Sequence, residues 1–158
     1  MQTICHLSVL IHEQAKKYGA KPVLTFRNFG SLTWKTVSWN QFSMRVKEVS
    51  NAFLNLGVKP QETIGVFSQN CIQYLYTDFG AYGVRAISIP FYATSSEQQI
   101  QYMIQDAGLG SFSLVNRSNM TRLIVSLHCA LRWNVLSFSI RVYVLVHMTH
   151  TLFTLKIS

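Results

Sequence analysis

The sequence is short of charge, and shortest of negative charge. Only 13% of its 158 residues are charged, with six Asp and Glu against fourteen Lys and Arg. That charged share is about half the usual one. A bulk polyanion binder with a dense Lys/Arg surface is therefore not expected. Cysteines number three, Cys5, Cys71 and Cys129, far apart and without a C-x-x-C pair. Neither a disulfide scaffold nor a structural zinc site is expected from that count and spacing, and a reduced, cytoplasmic protein is. Apolar residues are plentiful, at 49% with 13% aromatic, which excludes disorder of the whole chain. The length accommodates one domain, or one and a piece.

The absences are unevenly placed. All six acids lie at or before Asp106, and every glycine and proline lies at or before Gly110. Residues 1–110 carry nine Lys and Arg and a net charge of +3. Residues 111–158 carry five, Arg117, Arg122, Arg132, Arg141 and Lys156, with no Asp, Glu, Gly, Pro or Gln. Folded domains use Gly and Pro to turn and cap their elements. A boundary is expected near residue 110, with a partial domain over 1–110 and an acid-free, basic, apolar tail over 111–158. The first residues lack the basic region of a secretory signal. The sequons at Asn116 and Asn119 consequently carry little weight.

Before residue 110 the periodicities are clear. Leu7, Leu10, Ile11, Ala15 and Tyr18 recur at helical spacing, with Gly19 placed as a C-cap. Residues 23–26 and 32–39 form two β-type runs around Asn28-Phe29-Gly30-Ser31, which predicts a hairpin. Phe42, Val46, Val49, Phe53 and Leu56 define one face of a second helix. Ser38 or Asn40 can cap it, Gly57 closes it, and Pro60 prevents continuation.

Residues 63–68 and 86–91 are short apolar runs, the second broken near its end by Pro90. Between them Ile72, Leu75, Tyr76, Phe79 and Tyr82 predict a third helix. Thr94-Ser95-Ser96-Glu97 has the form of a capping box before a fourth, lined by Ile100, Met103, Ile104 and Ala107 and stopped by Gly108. Apolar strands alternating with helices predict an α/β fold: a partial parallel sheet with flanking helices and an N-terminal β-hairpin.

Motifs that carry chemistry are scarce. There is no G-x-x-x-x-G-K-[ST] and no G-x-G-x-x-G. Gly80 and Gly83 read as close helix packing, and Gly108 and Gly110 as a helix stop and a turn. His147 and His150 stand three apart with no further ligand nearby; His6 and His12 have no partner visible in sequence. Asp78 reads as solvated or capping. Cys71 opens a helix and reads as a structural thiol. Ser68-Gln69-Asn70 and Tyr92-Ala93-Thr94-Ser95-Ser96 each follow a strand. Such loops lie where α/β sheets bind ligands, although capping alone explains them.

The runs Glu62-Thr63-Ile64-Gly65-Val66-Phe67-Ser68-Gln69-Asn70, Asp78-Phe79-Gly80-Ala81-Tyr82-Gly83 and Arg85-Ala86-Ile87-Ser88-Ile89-Pro90-Phe91-Tyr92-Ala93-Thr94-Ser95-Ser96 carry a resemblance. With Val37-Ser38-Trp39-Asn40-Gln41-Phe42 and Tyr102-Met103-Ile104-Gln105-Asp106-Ala107-Gly108, they resemble the N-terminal region of AMP-forming long-chain fatty acid–CoA ligases, of the adenylate-forming superfamily. The likeness spans roughly residues 6–110. It implies the incomplete N-terminal domain of that fold, and a family reaction in which ATP activates a fatty acid to an acyl-adenylate before transfer to coenzyme A, assisted by Mg2+.

The family's phosphate loop and following lysine, its Tyr-Gly-x-Thr-Glu stretch, its ribose-binding aspartate and its C-terminal lysine have no counterpart here. Ala93-Thr94-Ser95-Ser96 lacks the glycine and lysine of the phosphate loop. No catalytic, cofactor-binding or metal residue is assigned, and no bound cofactor is expected. The expectation is a truncated ligase, inactive alone, whose tail arises from a shifted reading frame or an unrelated extension.

The alternative is a non-enzymatic protein acting at a membrane surface or on a partner through its tail. The uncharged run 142–155 holds 14 residues, short of the ~18–20 that span a bilayer. Weak peripheral membrane association is the expectation there. Nucleic-acid binding is not expected, because clustered Lys/Arg and recognised motifs are missing.

Overall fold

A computed structural model describes residues 6–28, 32–92, 94–109, 111–114, 140–145 and 152–157. The turn residues 29–31, the sequons, Cys5, Cys129, His147 and His150 lie outside that set. The fold is α/β, as the sequence pattern predicts. Its compact units are 1–59 with 71–85, and 60–70 with 86–158.

The first unit holds α1 (Leu7–Tyr18), β1 (Pro22–Asn28), β2 (Thr33–Ser38), α2 (Trp39–Asn55) and α3 (Ile72–Gly83). β1 and β2 form the antiparallel hairpin, with Phe26 opposite Lys35 and Arg27 opposite Trp34. Trp39, expected at the end of the second strand, begins α2 instead. The reason is Ser38. Its hydroxyl accepts from the Gln41 amide while the Gln41 side chain accepts from the Ser38 amide, so the capping box starts the helix there and Asn40 is not the cap.

α2 buries Phe42, Val46, Val49 and Phe53, the face read from their spacing. It ends in a Schellman motif: Gly57 at φ 77° donates to Leu54, and Val58 donates to Phe53. Val58 and Phe53, the two ends of that bond, are both buried. Ile11, Phe42, Val46 and Ile72 form the core, with Val23, Leu24, Phe26 and Val37 of the hairpin packed on it. Phe42 meets Tyr76 at 5.1 Å and the edge of Phe79 at 6.0 Å.

α3 packs on α2 through its small residues. A Cβ built on Gly80 would stand 2.6 Å from Val49 Cγ1, and one on Gly83 would collide with Ser50 Oγ. Close helix packing is therefore the role of this glycine pair. α1 is tied to α2 by His12 Nδ1 and Ser43 Oγ at 2.6 Å, which gives His12 a partner invisible in sequence.

The second unit holds β3 (Thr63–Ser68), β4 (Ile87–Tyr92), α4 (Glu97–Asp106), β5 (Ser111–Leu114), β6 (Ile140–Leu145) and β7 (Leu152–Ile157). The sheet order is β4-β3-β5-β6-β7. The first four strands are parallel, and β7 returns antiparallel to β6. β3 is buried along most of its length, which explains its unbroken apolar run. Pro90 lies inside β4 opposite Val66 rather than ending it. β4 is the edge strand, where a residue without an N–H leaves no ladder bond unmade.

The capping box of α4 differs from the sequence expectation. Ser96, not Thr94, is the N-cap, and Gln99, not Glu97, is its reciprocal partner. Both registers satisfy the same S/T-x-x-E/Q pattern. The later one prevails and leaves Thr94 exposed and Ser95 buried in the preceding turn. α4 closes with a second Schellman motif, in which Gly108 at φ 55° donates to Gln105 and Leu109 to Ile104.

Candidate functional site

The parallel register brings the strand ends to one level. Ser68 stands beside Tyr92, and Phe67 beside Leu114. β4 lies on one side of β3 and β5 on the other, so the chain reverses its progress across the sheet at β3. In open α/β sheets the carboxyl edge at such a reversal is where ligands bind. The loops singled out from sequence, 68–70 and 92–96, both leave the sheet at this edge.

Beside β4 the edge opens into a recess of about 490 Å3, lined by Tyr92, Thr94, Ser95, Gln99, Tyr102 and Met103. Tyr92 and Tyr102 are exposed, whereas Ser95 is buried and its amide donates to the Tyr92 carbonyl at 3.0 Å. That bond closes the turn that carries the chain from β4 into α4. Ser68 is buried and its hydroxyl donates to the Gln69 carbonyl at 2.7 Å, while Gln69 and Asn70 are exposed. The sequence does not mark Gln99, Tyr92 and Tyr102 as a group. Their spacing across a strand, a turn and one helical turn carries no motif.

The chemistry of this lining is narrow. It offers hydroxyls, one amide side chain, two phenol rings and a thioether, hence hydrogen bonding and stacking. It contains no Lys, Arg, His, Asp or Glu. A magnesium triphosphate needs cationic and carboxylate partners, so these residues do not fit one. Among the described residues, no group of three or more His, Cys, Asp and Glu is placed to hold a metal.

The other titratable candidates lie in the first unit. Tyr82 donates to Asp78 Oδ2 at 3.0 Å, and its phenol is pushed up to about 12, first by burial and then by the Asp78 charge and hydrogen bond. Burial also raises Tyr76. Asp78 is thus a hydrogen-bond acceptor for its own helix. Cys71 is the N-cap residue of α3 and is partly exposed.

The fold is that of the adenylate-forming ligases. The structure of IdnL1 superposes with a TM-score of 0.74 at 10% identity, covering 98% of this chain and 28% of that one. The fatty acyl-adenylate ligase from L. pneumophila, in complex with acyl adenylate and pyrophosphate, gives 0.62 at 15% identity over 70% of this chain and 20% of its own. In sequence, the AMP-binding enzyme family matches residues 11–126, and the chain belongs to that family. The long-chain-fatty-acid–CoA ligase ACSBG2 of Mus musculus is 22% identical over 116 residues. Those residues are 73% of this chain and only 17% of the mouse protein's length.

Proposed function

We propose that the chain is the amino-terminal scaffold of an AMP-forming long-chain fatty acid–CoA ligase and does not catalyse the reaction by itself. The reaction of such an enzyme is ATP-dependent activation of a fatty acid to an acyl-adenylate, then transfer to coenzyme A with Mg2+ assisting the first step. One observation carries the reading: the recess at the carboxyl edge of β4 has binding groups but no charged group to hold phosphate or metal. Adenylation needs ATP, magnesium and carboxylate fixed together, and that fixation supplies much of the rate. The relatives matched in sequence are long-chain-fatty-acid–CoA ligases, which supports the substrate class.

The joint loss of Asp, Glu, Gly, Pro and Gln after residue 110 supports a shifted frame or an unrelated extension within 111–158, beyond residue 126, where the family match ends. Its basic, apolar character fits weak contact with a membrane surface. Translating the other two frames beyond codon 110 checks the frame. Ligase-like sequence in one of them is expected, and its absence from both removes the idea. For the reaction, pyrophosphate release is measured with the full chain, ATP, Mg2+ and a long-chain fatty acid. No fatty-acid-dependent release is expected; sustained release overturns the proposal.

A further inference from the structure

The hairpin of the first unit has a face the core does not use. Val23, Leu24, Phe26 and Val37 pack inward. Thr25, Arg27, Trp34 and Thr36 are exposed, with Arg27 opposite Trp34 and the Thr25 and Thr36 hydroxyls 3.1 Å apart. Trp34 is 70% exposed and Leu32, just before β2, 66%. A tryptophan and a leucine this open contribute nothing to the core of the unit.

The charge around them has one sign. Residues 14–47 contain seven Lys and Arg and no Asp or Glu. The described ion pairs of this stretch are Lys16 with Glu13 and Arg45 with Glu48, both reaching acids outside it. Arg27 and Lys35 meet no acid among the described residues. At the base of the hairpin, Lys17 and Lys21 lie 5.1 and 5.8 Å from the Tyr18 ring centroid, and Tyr18 stacks at 5.9 Å on Trp39.

We propose that this hairpin face docks on an anionic phospholipid surface, with Trp34 and Leu32 entering the headgroup–acyl boundary and Arg27, opposite Trp34 on the same face, meeting lipid phosphate and carboxylate. An amphipathic ring at headgroup level gains from both its apolar body and its N–H. Burying Leu32 gains only where there is an apolar phase to receive it, which favours a bilayer over a nucleic acid. Each Lys or Arg near an anionic leaflet is worth about fivefold in affinity, and the attraction weakens with salt.

The test uses the full chain and sedimentation with phosphatidylcholine vesicles, with and without about 30% phosphatidylserine. Binding is expected only to the mixed vesicles and is reversed by about 0.5 M salt. R27Q weakens it about fivefold, and W34S about tenfold. These side chains are exposed, so the variants keep the fold, and the tail is the same in all of them. Quenching of tryptophan fluorescence by brominated lipid is expected in the parent chain and largely lost in W34F. Equal binding to neutral vesicles, unchanged binding by W34S, or equal quenching in W34F overturns the proposal. So does tighter binding to a single-stranded oligonucleotide than to the mixed vesicles.

Discussion

The Ser50 hydroxyl of α2 donates to the Gly80 carbonyl of α3 at 2.9 Å and to the Val46 carbonyl of its own helix at 3.1 Å. This contact exists because Gly80 has no side chain: Val49 occupies the space a Cβ would need. The two helices meet at a distance only glycine permits. Gly80→Ala is expected to destabilise the fold by about 1–3 kcal/mol, and Ser50→Ala by about 1 kcal/mol. Thermal unfolding reads both, at about 2–4 °C per kcal/mol for a chain of this size.

Gly108 isolates a different effect. It sits at φ 55° with nothing within 4 Å of a built Cβ. Gly108→Ala therefore carries only the conformational cost of the left-handed region, about 1 kcal/mol. Urea denaturation of the two glycine variants side by side is expected to show the larger loss at Gly80. Equal losses contradict the packing argument.

The register of the α4 cap is open to direct mutation. Ser96→Ala is expected to cost about 1 kcal/mol, as is Ser38→Ala at α2. Thr94→Ala, two residues earlier and exposed, is expected to stay within about 0.5 kcal/mol. The reverse ranking at positions 94 and 96 restores the register read from sequence.

Tyr82 links stability to alkaline pH. Its folded value of about 12 lies above the ordinary 10, because burial and Asp78 both disfavour the phenolate. The stability this contributes is fully present below pH 10 and is lost as pH rises through about 12. Absorbance near 295 nm (~295 nm marks phenolate) is expected to show Tyr82 ionising among the last of the seven tyrosines. Asp78→Asn brings that step to lower pH without returning it fully to 10, since the burial remains.

Much of the fold was readable because its elements state their period and their ends in the same residues. α2 is the clearest case, with four buried positions on one stripe, a Ser-x-x-Gln start and a Gly-Val stop. In the sequence the α4 cap reads two residues early because two boxes overlap, and only the turn before the helix decides between them. Trp39 follows a β-type run and reads as its last residue, although Ser38 caps the helix that begins there. The face of α3 was half legible. Its aromatic stripe shows in the sequence, but of the buried positions only Ile72 belongs to it; Thr77, Gly80 and Ala81 are small residues that leave no mark in a hydrophobic period. The candidate site was legible as two loops at strand ends. Its lining of Gln99 and Tyr102 was not, because a helix side contributes to a recess only once the turn before it is fixed.

The most direct test of the central claim is ATP–pyrophosphate exchange, measured on full-length chain that unfolds cooperatively on heating. With a long-chain fatty acid and Mg2+ present, the account predicts exchange no faster than in the protein-free control. Exchange that saturates with fatty acid, and that disappears when the chain is thermally unfolded, contradicts it.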